Sequence, residues 1–355
     1  MSETFSREIG GRTLSIEIGK YAEQAGGAAL VRYGDSVILS TVCSTQPREG
    51  IDFFPLTVDY EERLYAVGKI PGSFFRREGR PSQDGILADR LTDRCLRPLF
   101  PKGFKDEVQV ISTILSADQE NPLETLSIIG ASTALSISDI PCEGPVAACR
   151  IGYVSGELVV SPTYQQVSEG LLDLVVAGTK DAVVMVEAGA GEVSEAVLMD
   201  ALRLGQEVSQ TLVELQGEIA AKLGKSKSQF VPAAGALSSL GAELESVVGP
   251  RIEDLFAQGA AKGERNTAFD ELQEEAVQRL AETYDSGQVK EAFEALLKKV
   301  MRTRILRDGR RPDGRTVEEI RPISIEVGVL PRTHGTGHFR RGQTQVLTIA
   351  TLASL

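Results

Sequence analysis

Apolar and polar residues alternate in the first third of the chain with a period of two, the spacing that sets one face of a half-buried strand against a core. Residues 13–18 read this way, and 36–43 is a β-branched run behind the turn signal Tyr33-Gly34-Asp35. Residues 108–115 and 158–160 continue the strand pattern. Residues 171–176 and 182–187 form a pair split by Gly178-Thr-Lys-Asp181. Helical spacing interleaves over 85–96, 122–138 and 195–223, with Ser194 placed to cap the last helix and Glu195 to meet its N-terminal dipole. Strands and helices mixed in this order predict an α/β or α+β domain ending near residue 225.

The composition then breaks. Residues 224–235 hold Lys, Ser, Pro and Gly, as a linker does. From 237 to 304 the apolar residues recur every three or four positions, and Phe293, Leu296, Leu297 and Val300 make one such stripe. Gly249-Pro250, Gly259, Gly263 and Ser286-Gly287 are the expected breaks between several helices of a small all-helical domain. Turn chemistry returns over 307–315, and strands resume at Ile323.

Those last strands repeat the first ones. Leu14-Ser-Ile-Glu-Ile-Gly19 matches Ile323-Ser-Ile-Glu-Val-Gly328; at the same offset Gly26 meets Gly335 and Leu30 meets Phe339. After a one-residue deletion, Gly34-Asp-Ser-Val-Ile-Leu-Ser-Thr faces Gly342-Gln-Thr-Gln-Val-Leu-Thr-Ile. Shared glycines, which set turn geometry, argue for a duplicated strand–turn–strand unit over two hairpins that merely look alike. The second copy stops early, and the apolar run 349–355 is expected to lack partner strands, so the sequence reads as a fragment.

Hydrophobic residues make up 42% of the 355, enough for ordinary cores, and no apolar run is long enough for a membrane span. The polar N-terminus lacks a secretory signal. Four cysteines without a C-x-x-C pair fit reduced thiols and a cytoplasmic setting. The net charge of −12 argues against nucleic acid as a partner, but its distribution changes the picture. Residues 63–105 carry ten basic side chains against four acidic ones, a net of +6, leaving −18 for the rest. Such an island can serve as a local anion site because screening confines attraction to about 10 Å. Chance clustering on a solvated surface is the alternative.

Inside the island lies Gly68-Lys-Ile-Pro-Gly-Ser-Phe-Phe-Arg-Arg-Glu-Gly-Arg80-Pro81, whose glycines and prolines indicate an exposed loop. Phe74 and Phe75 offer ring faces for unpaired bases, at about 1–3 kcal/mol per base, and Arg76, Arg77 and Arg80 can hold phosphates. The competing role is anchorage of the loop by one or both rings. Arg90, Arg94 and Arg97, at i, i+4 and i+7, share one helix face beside Leu87, Leu91 and Cys95. Like charges on one face need an anion, supplied by phosphates of a bound chain or internally by Asp89 and Asp93. His334 and His338 flank a turn with no acidic third ligand nearby, which disfavours a metal site. Gly189-Ala-Gly191 lacks the third glycine of a dinucleotide loop.

Residues 66–104, with Phe74-Phe-Arg-Arg-Glu-Gly-Arg-Pro81 and Asp89-Arg-Leu-Thr-Asp-Arg-Cys-Leu-Arg-Pro-Leu-Phe100, resemble the bacterial polynucleotide phosphorylase family. So do Leu172-Asp-Leu-Val-Val-Ala-Gly178 and Gly328-Val-Leu-Pro-Arg-Thr-His-Gly335, and the similarity spans nearly the whole chain. The resemblance implies an α+β fold: a first ribonuclease PH-like domain over 1–225, an all-helical domain over 236–304, and the start of a second ribonuclease PH-like domain over 306–355. It implies phosphorolysis of single-stranded RNA from the 3′ end, with inorganic phosphate as co-substrate, Mg²⁺ or Mn²⁺ as cofactor, and release of nucleoside diphosphates. It further implies a homotrimeric ring and partners in RNA degradation such as an endoribonuclease and a helicase. In that family Phe74, Phe75, Arg76 and Arg77 match the channel loop that grips RNA. Arg90, Arg94 and Arg97 match basic residues near the RNA path. The family's phosphate- and metal-binding groups belong to the second such domain, so no catalytic or metal-binding residue is expected before Leu355. Two other readings stand beside it: a non-catalytic RNA-binding ring scaffold, and a related enzyme making guanosine polyphosphates.

Overall fold

A computed structural model describes residues 2–48, 51, 53–72, 77–230, 234–258 and 262–354. The chain divides into two compact units, 1–232 and 233–355.

In the first unit, strands β1 (Glu3–Ile9), β2 (Arg12–Ile18), β3 (Gly27–Tyr33), β4 (Ser36–Thr45), β5 (Leu56–Glu61) and β6 (Glu107–Ser116) form a six-stranded sheet in the order β1-β2-β3-β4-β6-β5. Neighbours run antiparallel except β5 and β6, which are parallel and therefore need the long crossover that holds α1 (Gln83–Leu96). The alternation read over 13–18 is physical: Leu14, Ile16 and Ile18 are buried, and the residues between them point away. A second, four-stranded sheet has the order β10-β9-β7-β8, built from β7 (Ala147–Val154), β8 (Glu157–Val160), β9 (Leu172–Gly178) and β10 (Val183–Ala190). A short helix, α3 (Tyr164–Glu169), joins β8 to β9. Its capping box pairs Thr163 with Gln166.

The core lies around α2 (Glu124–Ile137), which packs on β3, β4, β7, α1 and α4 (Glu195–Leu223). Helix α2 is buried on nearly every side because after Glu124 its side chains are apolar or small. Its hydroxyls are satisfied locally: Thr133 donates to the Ile129 carbonyl at 2.7 Å, and Ser132 accepts the Val146 N–H at 2.9 Å. Contact with the sheet is so close that a Cβ on Gly27 would lie 2.1 Å from the Ala134 carbonyl oxygen. The predicted cap of α4 forms, with Ser194 Oγ accepting the Val197 N–H at 3.4 Å.

In the second unit α5 (Ala234–Ala257), α6 (Lys262–Leu280) and α7 (Ser286–Asp308) enclose a core of their own. The expected break at Gly249-Pro250 does not occur, since Pro250 lies inside α5. An interior proline costs about 3 kcal/mol. Burial of Leu240, Leu244, Val248, Ile252 and Phe256 along one side of the helix offsets that cost. The stripe on α7 is placed as read, with Phe293, Leu296 and Val300 buried.

After a turn closed by the Arg310–Thr316 bridge, β11 (Ile323–Val327), β12 (Gly335–Arg341) and β13 (Thr344–Ala350) make an antiparallel meander. Its register repeats that of β2–β3–β4. Ile16 faces Val31 as Ile325 faces Phe339, and Gly27 faces Val42 as Gly335 faces Ala350. The turn glycines agree, Gly34 at φ 61° and Gly342 at φ 62°, a left-handed conformation that costs glycine least. Arg32 Nε donates to the Gly34 carbonyl and Arg340 Nε to that of Gly342, both at 2.9 Å. One detail of the expected alignment is corrected. The deletion precedes β12, so Gly27 and Val31, rather than Gly26 and Leu30, are the counterparts of Gly335 and Phe339. A second correction concerns 349–355, since Ile349 and Ala350 do find a partner strand, β12.

Candidate functional site

The basic island occupies the β5–β6 crossover. β5 ends at Glu61, and a 3₁₀ turn over Leu64–Val67 follows, closed by Gly68 in the left-handed conformation. Ser73, Phe74, Phe75 and Arg76 lie outside the described residues. Arg77 and Arg80 are exposed, as are Tyr65 and Ile70 at 56% and 76%. Arg80 makes no ion pair among the described residues.

Helix α1 starts at Ser82, whose Oγ accepts the Gly85 N–H at 2.9 Å and donates to Glu62. Arg90, Arg94 and Arg97 all lie exposed on α1 or at its C-cap, but their surroundings differ. Arg90 has no hydrogen bond or ion pair through its guanidinium among the described residues. Arg94 pairs with Glu187 of β10 and donates to the Val186 carbonyl at 3.3 Å. Arg97 grips Asp93 with two nitrogens, at 2.6 and 2.9 Å. It also donates to the carbonyls of Phe54 and Leu56, each at 3.2 Å, and lies over the Phe54 ring. That ring belongs to an aromatic chain through Phe100 and Phe104 to Phe230. The apolar stripe is also corrected. Leu91 and Cys95 are buried with Ala88 and Leu96, whereas Leu87 is 50% exposed, because the helix turns its small Ala88 to the sheet instead.

Electrostatics sort the remaining candidates. Burial, followed by the Asp59 charge, raises the Asp89 carboxyl above its ordinary range. Burial pushes the Cys95 thiol up to about 12, so it stays protonated and cannot serve as a thiolate nucleophile. His334 Nδ1 accepts the Leu352 N–H at 2.9 Å, and His338 Nε2 contacts Gln345 at 3.1 Å, so both rings serve the meander. Among the described residues no three His, Cys, Asp or Glu side chains converge to hold a metal ion. Sequence reading missed a set of carboxylates at the mouth of the crossover. Glu61 and Glu78 meet Arg63, and Glu62 meets Ser82. The one available signal was Glu61-Glu62-Arg63 at the edge of the basic island; nothing local indicates that Glu78 reaches back to it.

Three family models match the chain. "3' exoribonuclease family, domain 1" matches residues 10–141, "3' exoribonuclease family, domain 2" matches 144–208, and "Polyribonucleotide nucleotidyltransferase, RNA binding domain" matches 239–316. The first two fall within the first unit and the third covers most of α5–α7. Among curated proteins, the polyribonucleotide nucleotidyltransferase of Heliobacterium modesticaldum is 49% identical over 99% of this chain and 50% of its own length. Those of Chloroflexus aggregans and Thermomicrobium roseum are 52% and 51% identical, over 99% and 98% of this chain and 47% and 46% of theirs. The chain spans about half the length of the curated relatives it matches.

Proposed function

This chain belongs to the polyribonucleotide nucleotidyltransferase family, and from that membership we propose that it serves the phosphorolytic 3′-to-5′ degradation of single-stranded RNA to nucleoside diphosphates. Its own contribution is the grip on RNA, through Phe74, Phe75, Arg76 and Arg77 of the crossover loop, Arg80, and Arg90, Arg94 and Arg97 of α1. The observation that carries this reading is the exposed row of three arginines directly behind the loop. At 1.5 Å rise per residue Arg90 and Arg94 are about 6 Å apart along the helix axis, a ladder of cations suited to a polyanion. Arg90 is available as it stands. The Arg94–Glu187 pair is an exposed bridge and Arg97–Asp93 a partly exposed one, each worth about 0–1 kcal/mol, so a phosphate can replace the carboxylate at low cost.

Phosphorolysis brings two anions together, which these cations ease on the RNA side by neutralising and orienting its backbone. Inorganic phosphate and Mg²⁺ or Mn²⁺ are the co-reactants this reading requires. The described residues do not fit the metal ion, so no step is assigned to it in this chain. A second reading, a non-catalytic RNA-binding ring scaffold, predicts RNA binding without phosphate-dependent release of nucleoside diphosphates. The duplicated register supports 306–355 as the opening of a second ribonuclease PH-like domain, beside 1–225 as the first and 236–304 as the all-helical one. A homotrimer in the cytoplasm, working with an endoribonuclease and a helicase, completes the proposal. The test is the double variant Phe75→Ala/Arg76→Ala in a single-stranded RNA titration at several salt concentrations. Loss of one stacked base and one phosphate contact should weaken binding at least about fivefold and flatten the log–log salt slope by about 0.7. Unchanged affinity and slope would sink the assignment of the loop.

A further inference from the structure

The end of β5 fastens the crossover loop at its far side. Arg63 Nη1 donates to Glu78 Oε2 at 2.6 Å, and the Leu64 N–H donates to Glu78 Oε1 at 2.9 Å. Both carboxylate oxygens of Glu78 are thus engaged by residues that precede it by fourteen and fifteen positions. Arg63 also pairs with Glu61, and Glu61 accepts from Thr113 Oγ1 of β6 at 3.0 Å, so the contact is rooted in the sheet. The Arg63 hydrogen bond, joined by the Leu64 N–H, holds the Glu78 carboxyl below the ordinary carboxylate range. One residue upstream of Arg63, Glu62 holds Ser82, the N-cap of α1. Residues 61–63 therefore fix two points on the return path of the chain, 78 and 82.

We propose that Glu78 is a positioning residue for RNA, a clamp that sets Arg77 beside it, with the start of α1, in one register on the sheet edge. The inference rests on the RNA-contact reading of the loop given above. Its sign separates it from plain electrostatics. Glu78 is a negative charge amid basic residues, so its removal would tighten RNA binding if only charge mattered. A clamp makes the opposite demand, because an Arg77 no longer held beside a fixed Glu78 adds ordering entropy to every binding event.

The experiment compares Glu78→Gln and Arg77→Ala with the unaltered 355-residue chain in titrations of a single-stranded RNA oligonucleotide, each run well below the variant's own Tm. Glu78→Gln keeps the size and an acceptor oxygen but loses the charge that binds Arg63. Its affinity should fall about three- to tenfold, the scale of one hydrogen bond of ordinary net strength, with Tm little changed. Arg77→Ala should weaken binding and flatten its salt slope. Weaker binding by Arg77→Ala with unchanged or tighter binding by Glu78→Gln overturns the clamp and leaves the loop an RNA contact. If neither variant changes affinity, the clamp and the reading of the loop fall together.

Discussion

Arginine 97 shows how one side chain can satisfy a sequence pattern and still do different work. It completes the i, i+4, i+7 row, yet its guanidinium already bridges Asp93, the backbone carbonyls of Phe54 and Leu56 at the start of β5, and the Phe54 ring. Arg90 has none of these ties. Replacing each by alanine should therefore split the two roles. Arg90→Ala should leave Tm within about a degree, since exposed positions usually change stability by less than about 0.5 kcal/mol. It should also reduce the salt dependence of RNA binding by about 0.7 in the log–log slope. Arg97→Ala should cost about 1–2 kcal/mol in thermal unfolding, because two carbonyl hydrogen bonds and a partly exposed ion pair vanish together. Equal losses of stability in both variants would refute the distinction. The row of like charges was plain in the sequence. The Asp93 partner of Arg97 was within reach of the sequence, four residues away, but the ties to Glu187 and Phe54 were not, because those residues come from segments far along the chain.

At the level of elements, the duplicated meander supplies its own control. Gly27 and Gly335 hold the same register position, but α2 covers the first, whereas among the described residues a Cβ on the second would meet only the Ala350 side chain, at 3.6 Å. A methyl group at 27 would press on the Ala134 carbonyl, so Gly27→Ala should destabilise the first unit by about 1–3 kcal/mol. Gly335→Ala should cost less than about 0.5 kcal/mol. Thermal denaturation followed by circular dichroism measures both, and a harmless Gly27→Ala would mean that α2 is not seated as described. Strand periods, the α4 cap and the α7 stripe were legible because each depends on neighbours within a turn or two. The continuity of α5 through Pro250 was not, since the burial that outweighs the proline comes from packing on other helices.

Across the whole molecule, burial is unevenly distributed. In the first copy Ile16, Val31 and Ile38 are completely buried, while their counterparts Ile325, Phe339 and Val346 are 67%, 38% and 52% exposed. Three strands with hydrogen bonds but no covered face lack the apolar burial that independent stability requires. Residues 306–355 alone should therefore show no cooperative unfolding transition. Residues 1–232 expressed by themselves, with their cores closed, should melt cooperatively. A sigmoidal melt from the short piece would contradict the argument from exposure.

Periodicity, turn glycines and charge clustering, all local properties of the chain, by themselves determined the strand and helix order, the internal repeat and the basic crossover. The tertiary structure alone decided three matters: the register shift within the repeat, the pairing of Arg94 with Glu187, and the reach of Glu78 back to Arg63 and Leu64. These depend on which distant atoms the fold brings within hydrogen-bonding range, and short-range patterns in a sequence carry no record of that distance.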